Sequence, residues 1–120
     1  MPLWFLRGLS RGVVTTRYPA RPDASAATLP TPPAFRPRLL TRQVADRLVA
    51  VCPSNALSRQ DNVLVFDLGA CTCCGRCAQT AAEAAAGPAS GAITSSGQFE
   101  LAATSRETLL KQIPILGDAR

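Results

Sequence analysis

The hydrophobic positions of this chain change period along its length, and each change marks an element. In T-R-Q-V-A-D-R-L-V-A-V-C-P, Val44, Leu48 and Val51 recur at i, i+4 and i+7 between Thr41, which can cap, and Pro53, which enforces a stop. The spacing predicts a short amphipathic helix. After the polar turn S-R-Q-D-N, the β-branched and aromatic run V-L-V-F at 63–66 predicts a strand, and Leu68-Gly69 leads into a cysteine loop in which Gly75 supplies a permissive backbone. The alanine-rich A-Q-T-A-A-E-A-A-A predicts a second helix to about Ala86, ended by Gly87-Pro88. G-A-I-T-S-S-G-Q-F-E-L reads as a hairpin and Arg106 to Gln112 as a final short helix. Helix, hairpin, cysteine loop, helix and hairpin make a doubled unit.

Before residue 41 the periodicity disappears. Proline at 19, 22, 30, 32, 33 and 37 excludes a helix between Ser10 and Leu40 and predicts an extended arm, either disordered in isolation or docked along a partner. The opening M-P-L-W-F-L-R-G-L is too short, and too soon interrupted by Arg7 and Arg11, for a secretory h-region. The lack of acids before Asp23 gives it a weak likeness to a transit peptide. Leu3, Trp4, Phe5, Leu6 and Leu9 better suit an amphipathic foot on a partner or on a membrane surface. No run reaches the ~20 apolar residues that span a bilayer.

Composition narrows the chemistry. The 120 residues amount to one domain. Once the proline-rich arm is set aside, the part able to bury a core is small enough to need a metal, a disulfide or a partner as a staple. Five cysteines is an odd number, which favours reduced thiols and metal in a cytosolic setting over a disulfide framework. Histidine is absent, which removes mixed Cys/His zinc sites, histidine-ligated haem and histidine acid–base chemistry. The formal charge of +5 is concentrated in the first 47 residues, where eight arginines face only Asp23 and Asp46. That arm lacks the lysine clusters and interleaved aromatics of a nucleic-acid binder, so a solvated or protein-docked basic arm is expected instead.

The chemistry centres on C-T-C-C-G-R-C-A-Q-T-A at 71–81. Cys71, Cys74 and Cys77 follow the C-x2-C-x2-C spacing of an iron–sulfur loop, but Ala81 stands where a fourth cysteine would close it. In two-cluster ferredoxins each loop gives three cysteines to one cluster and its fourth to the other. Taking Cys52-Pro53 as the C-P end of the first loop puts that loop's other ligand positions at Arg42, Ala45 and Leu48. All four missing ligands, Arg42, Ala45, Leu48 and Ala81, then belong to one cluster. Cys52, Cys71, Cys74 and Cys77 make up the whole set for the other, which points to a single 4Fe-4S cluster. Ala45, Leu48 and Ala81 are suited to filling the vacated volume with apolar packing. Zinc on the same four thiolates is the main rival, although zinc sites usually pair one C-x2-C with another. Cys73 lies outside the spacing and reads as a spare thiol pointing away from the site, and Arg76 is the nearest cation to offset thiolate charge. No nucleophile–base pair, phosphate-cradling loop or dinucleotide fingerprint is present, so the cluster would pass electrons singly between partners rather than serve a catalyst.

Across most of its length the chain resembles the ferredoxin-like subunit of formate hydrogenlyase and related group 4 nickel–iron hydrogenases, which is similar to the two-cluster subunit of respiratory complex I. The likeness rests on G-V-V-T-T-R-Y-P at 12–19, C-P-S-N-A-L at 52–57, F-D-L-G-A-C-T-C-C-G-R-C at 66–77 and G-A-I-T-S-S-G-Q-F-E-L-A at 91–102. The chain departs from that family in having one complete ligand set instead of two, and in the insertion E-A-A-A-G-P-A-S after the second loop. The resemblance implies an arm that wraps a hydrogenase-type small subunit and a domain that relays electrons.

The expectation is therefore an α+β, ferredoxin-like domain over 41–103, with a basic docking arm over 1–40 and a short C-terminal helix and tail over 104–120. Its function would be that of an accessory electron-transfer subunit of a hydrogenase-like or complex-I-like oxidoreductase assembly. It would lie at the cytoplasmic face of the inner membrane, attached peripherally through the complex and without nucleic acid. A structural zinc-binding or metal-free assembly subunit and a soluble ferredoxin are the alternatives.

Overall fold

The computed structural model describes residues 3–12, 19–21, 28–84 and 91–118. The chain is α+β, with three α-helices and two small antiparallel sheets among these residues. Helix α1 spans Trp4–Arg11. After it come β1 (Pro33–Phe35), α2 (Arg42–Val51), β2 (Leu57–Gln60), β3 (Val63–Asp67), α3 (Arg76–Glu83), β4 (Ile93–Ser95) and β5 (Leu110–Pro114).

Helix α2 forms where its periodicity predicts. The Thr41 hydroxyl accepts the Val44 N–H at 3.2 Å, satisfying one of the free donors of the first turn. Val44, Ala45 and Leu48 face inward and are buried, and the helix ends at Val51 with Cys52 as its C-cap, ahead of Pro53.

The polar stretch after Leu57, expected as a turn, is instead strand β2. Its polar side chains face water while its backbone pairs with β3 from Leu57↔Phe66 to Gln60↔Val63, and only Asp61 and Asn62 are left as the turn. Asp61 there adopts φ 48, a left-handed conformation that Asp tolerates better than most residues. In β3 the alternation buries Leu64 and Phe66 on one face.

Three boundaries expected from the sequence move. The C-terminal helix over Arg106 to Gln112 is replaced by a single 3-10 turn at Glu107–Leu109 and then β5. The free edge of β3 takes this segment as a third strand, from Asp67↔Leu110 to Val63↔Pro114, while Arg106 bonds Asp67. The hairpin expected over 91–101 is also absent: β4 pairs with β1, with Pro33↔Ser95 and Phe35↔Ile93 in register. Finally, the end of the arm is part of the domain. β1 pairs with β4, Leu40 is fully buried in the core, and the boundary expected at residue 40 falls nearer Thr31. Proline is compatible with this because Pro33 opens the strand, where a missing N–H costs little. The rest of the arm, 13–18 and 22–27, lies outside the described residues, and Ser10 and Arg11 belong to α1. Helix α3 ends at Glu83, and residues 85–90, with most of the insertion, also lie outside the described residues.

The order β1-α2-β2 followed by β3-α3-β4 is a repeat. The outer strands pair with each other and the inner two with each other, which brings α2 and α3 into contact over one core. Leu40, Leu48 and Leu64 are its largest fully buried side chains, and Phe35 meets Phe66 edge-on at 5.2 Å between ring centroids. The tail closes the structure. Gly117 donates to the Leu40 carbonyl at 2.9 Å, an approach so close that a Cβ at this position would lie 2.8 Å from the Leu40 backbone.

Candidate metal centre

Two segments bring the cysteines together. Cys52 sits at the C-terminal end of α2, where the turn P-S-N reverses the chain with Asn55 at φ 52 and its N–H on the Cys52 carbonyl at 3.3 Å. Cys71, Cys74 and Cys77 lie on the loop from β3 into α3, and that loop curls tightly through left-handed residues at Cys73 (φ 53) and Gly75 (φ 76). Cys77 is the second residue of α3. The Asp67 carboxylate holds the start of the loop by accepting the N–H groups of Gly69 and Ala70 at 2.8 and 3.2 Å.

Cys52, Cys71, Cys74 and Cys77 all line one cavity of about 270 Å³. Cys74 is exposed and the other three are half-buried, and all four are free thiols. Cys73, expected to point away as a spare thiol, also borders the cavity, and its N–H donates to Cys71 Sγ at 3.4 Å. Among the described residues Arg76 is the only charged one in the wall, and none of them is a carboxylate.

The electrostatics divide the thiols into two kinds. Burial works to raise Cys52, but the Ser54 hydroxyl and the backbone N–H groups of Ala56, Ser54 and Leu57 outweigh it, and the thiol sits below its ordinary value. Burial pushes Cys77 up; the Ala78 N–H opposes this, and the nearby Cys74 and Cys52 charges add to the rise. Cys71 is likewise raised, by burial first; the Cys73 N–H opposes this, and the nearby Cys73 and Cys77 charges add to the rise. Thiolates this close repel one another, and a cationic centre among them would turn that repulsion into ligation.

The donor set is all sulfur. It suits soft centres such as zinc or iron–sulfur and not calcium or magnesium, which need oxygen ligands. Among the described residues no three or more His, Cys, Asp or Glu side chains are gathered closely enough to hold one metal ion. Four thiolates on one zinc, with bonds of about 2.3 Å, would stand only about 3.8 Å apart. The cavity holds roughly twenty times the ~10–15 Å³ that a single water occupies on the same measure, so its size fits a polyatomic group.

The other half of the repeat is built differently. Ala45, Leu48 and Ala81 are all in the hydrophobic core, exposed by 0, 0 and 2 %. Arg42 is exposed; its N–H donates to Asp118 Oδ2 at 2.9 Å and its Nε to Asn62 Oδ1 at 2.9 Å, tying the start of α2 to the β2–β3 turn and the tail.

Cysteine spacing did not reveal the remaining walls of the cavity. Leu29, Pro30, Thr31 and Pro33 form one side and Thr94 and Ser95 join them. This wall is fastened by Thr31 Oγ1, which lies 2.6 Å from Ser95 Oγ and accepts the Gly97 N–H at 3.2 Å. The contact joins residues more than sixty positions apart, and only the β1–β4 pairing makes it predictable.

No protein-family model matches the chain, and no curated protein sequence matches it. No helix among the described residues is long and apolar enough to cross a membrane.

Proposed function

We propose that this chain is an accessory electron-transfer subunit whose ferredoxin-like domain carries a single 4Fe-4S cluster on Cys52, Cys71, Cys74 and Cys77. One observation carries the proposal. Cys52, from the end of α2, borders the same cavity as the three loop cysteines, while Ala45, Leu48 and Ala81, at the ligand positions of a second cluster, lie in the core. The repeated β-α-β unit with crossed strand pairing supports the ferredoxin-like reading.

A bound cluster would supply reversible one-electron transfer, with a potential set by its surroundings. The chain's own groups do the rest. The N–H groups of Ser54, Ala56 and Leu57 and the Ser54 hydroxyl stabilise negative charge on Cys52, and the Cys73 and Ala78 N–H groups do so on Cys71 and Cys77. Arg76 supplies a cation at the rim, and the apolar side chains of Leu29, Leu57 and Phe66 lower the local dielectric. Cys74 is exposed, which gives electrons a short route between the cavity and a partner docked on that face. With no catalytic apparatus of its own, the chain acts within a hydrogenase-like or complex-I-like assembly, beside a hydrogenase-type small subunit, at the cytoplasmic face of a membrane.

Anaerobic purification followed by iron and sulfide analysis tests the proposal. About four irons with an EPR-active reduced cluster is the expected result. One zinc without sulfide would replace this reading with that of a structural zinc adaptor.

A further inference from the structure

The cluster reading leaves α1 without a role. Leu3, Trp4, Phe5, Leu6 and Leu9 are exposed by 76, 70, 58, 61 and 66 %, and none of the helix's residues is buried. At 100° per residue Trp4, Phe5, Leu6 and Leu9 form one broad face, while Arg7, Ser10 and Arg11 form the other. Eight residues make a helix of about 12 Å, far short of the ~30 Å bilayer core. Such a helix can only lie along a surface. It also has no side-chain N-cap and no acid in its first turn, and isolated helices of this length are marginal in water, so a surface that takes its apolar face would also stabilise it.

The charge identifies that surface. Arg7, Arg11, Arg17 and Arg21 precede the first acid, Asp23, so the polar face and the sequence after it are purely cationic. A protein groove takes up the apolar face and leaves the polar face in water, with no demand on its sign. An anionic bilayer engages both faces: the apolar face enters the acyl boundary and the guanidinium groups meet lipid phosphates. Trp4 adjoins Arg11 on the helical wheel, at the edge between the two faces, where an indole sits at the headgroup level.

We infer that α1 is an in-plane anchor through which this chain itself binds an anionic lipid surface, whatever its cysteines hold. Trp4 is the only tryptophan, so its fluorescence reports on α1 alone. The full chain should bind vesicles of mixed phosphatidylcholine and phosphatidylglycerol, with Trp4 emission shifting to the blue and protein sedimenting with the lipid. Phe5→Glu with Leu9→Glu should abolish both effects, and Arg7→Gln with Arg11→Gln should weaken binding roughly thirtyfold at low salt. These side chains are exposed, so far-ultraviolet circular dichroism should remain that of a folded domain in both variants. Unchanged Trp4 emission with protein left in the supernatant would overturn the inference, as would binding that survives the double glutamate change. Equal binding to pure phosphatidylcholine would overturn it too. A shift seen only on adding a protein partner would assign α1 to a protein groove. The iron and sulfide analysis can fail without touching this result, and the reverse also holds.

Discussion

Replacing Thr31 by valine removes the fastening of one cavity wall while keeping the side chain's volume and branching. The Thr31 hydroxyl contacts Ser95 Oγ at 2.6 Å and accepts the Gly97 N–H at 3.2 Å, and no backbone group of the β1–β4 ladder is altered. Two exposed hydrogen bonds in the lower half of 0.5–1.5 kcal/mol each amount to about 1–2 kcal/mol, which raises the population of a locally opened wall about 5–30-fold. Both bonds are also lost on global unfolding, so a denaturant melt should fall by the same about 1–2 kcal/mol. The assay is alkylation of the full chain after chelator has removed any metal under reducing conditions, so that every thiol is free, with sites and rates read by mass spectrometry. Cys52 and Cys77, half-buried in the cavity that the Leu29–Pro33 wall bounds, should react about 5–30-fold faster in the variant. Cys74, already exposed, serves as the internal control and should change little. Equal acceleration at all cysteines would indicate global loosening, and no acceleration at Cys52 and Cys77 would mean that the wall does not shield them; either result refutes the reasoning.

Cys74→Ala should abolish the iron and sulfide content of the purified chain, and in a reconstituted assembly it should stop electron transfer while leaving the chain bound to its partner; loss of assembly alone would favour the structural reading. Leu48→Ala, at a fully buried position, should cost about 2–5 kcal/mol in a denaturant melt, because little around it can collapse into the space. Gly117→Ala should destabilise by about 1–3 kcal/mol, since its Cβ would press on the Leu40 carbonyl and force the tail away; a melt unchanged from the wild type would show that the tail is not fastened there.

The parts of the fold that depend on local pattern were legible in the sequence. Thr41, Val44, Leu48 and Pro53 gave α2 its start, its buried face and its end, and V-L-V-F gave β3, because capping and periodicity act over a few residues. The parts that depend on distant pairing were not. Leu110–Pro114 carries no strand alternation strong enough to identify it, and it becomes a strand because β3 offers it a free edge. Pro33–Phe35 looked like arm because prolines dominate it, yet β4 lies sixty residues away in sequence and accepts it as a neighbour. The same division holds at the site. The cysteines that share the cavity stand out in the sequence by their spacing, whereas the Leu29–Pro33 wall and its Thr31 fastening follow from β1–β4 pairing and had no local signal. Cys73, set aside by spacing, borders the cavity because the left-handed turn at its own backbone brings it there.

Native mass spectrometry of the anaerobically purified full chain weighs what Cys52, Cys71, Cys74 and Cys77 hold. One dominant species should appear, heavier than the polypeptide by a single cluster of about four irons and four sulfides, and it should be absent from Cys52→Ala. A mass increase of one zinc, or of two clusters, would contradict the single-cluster proposal.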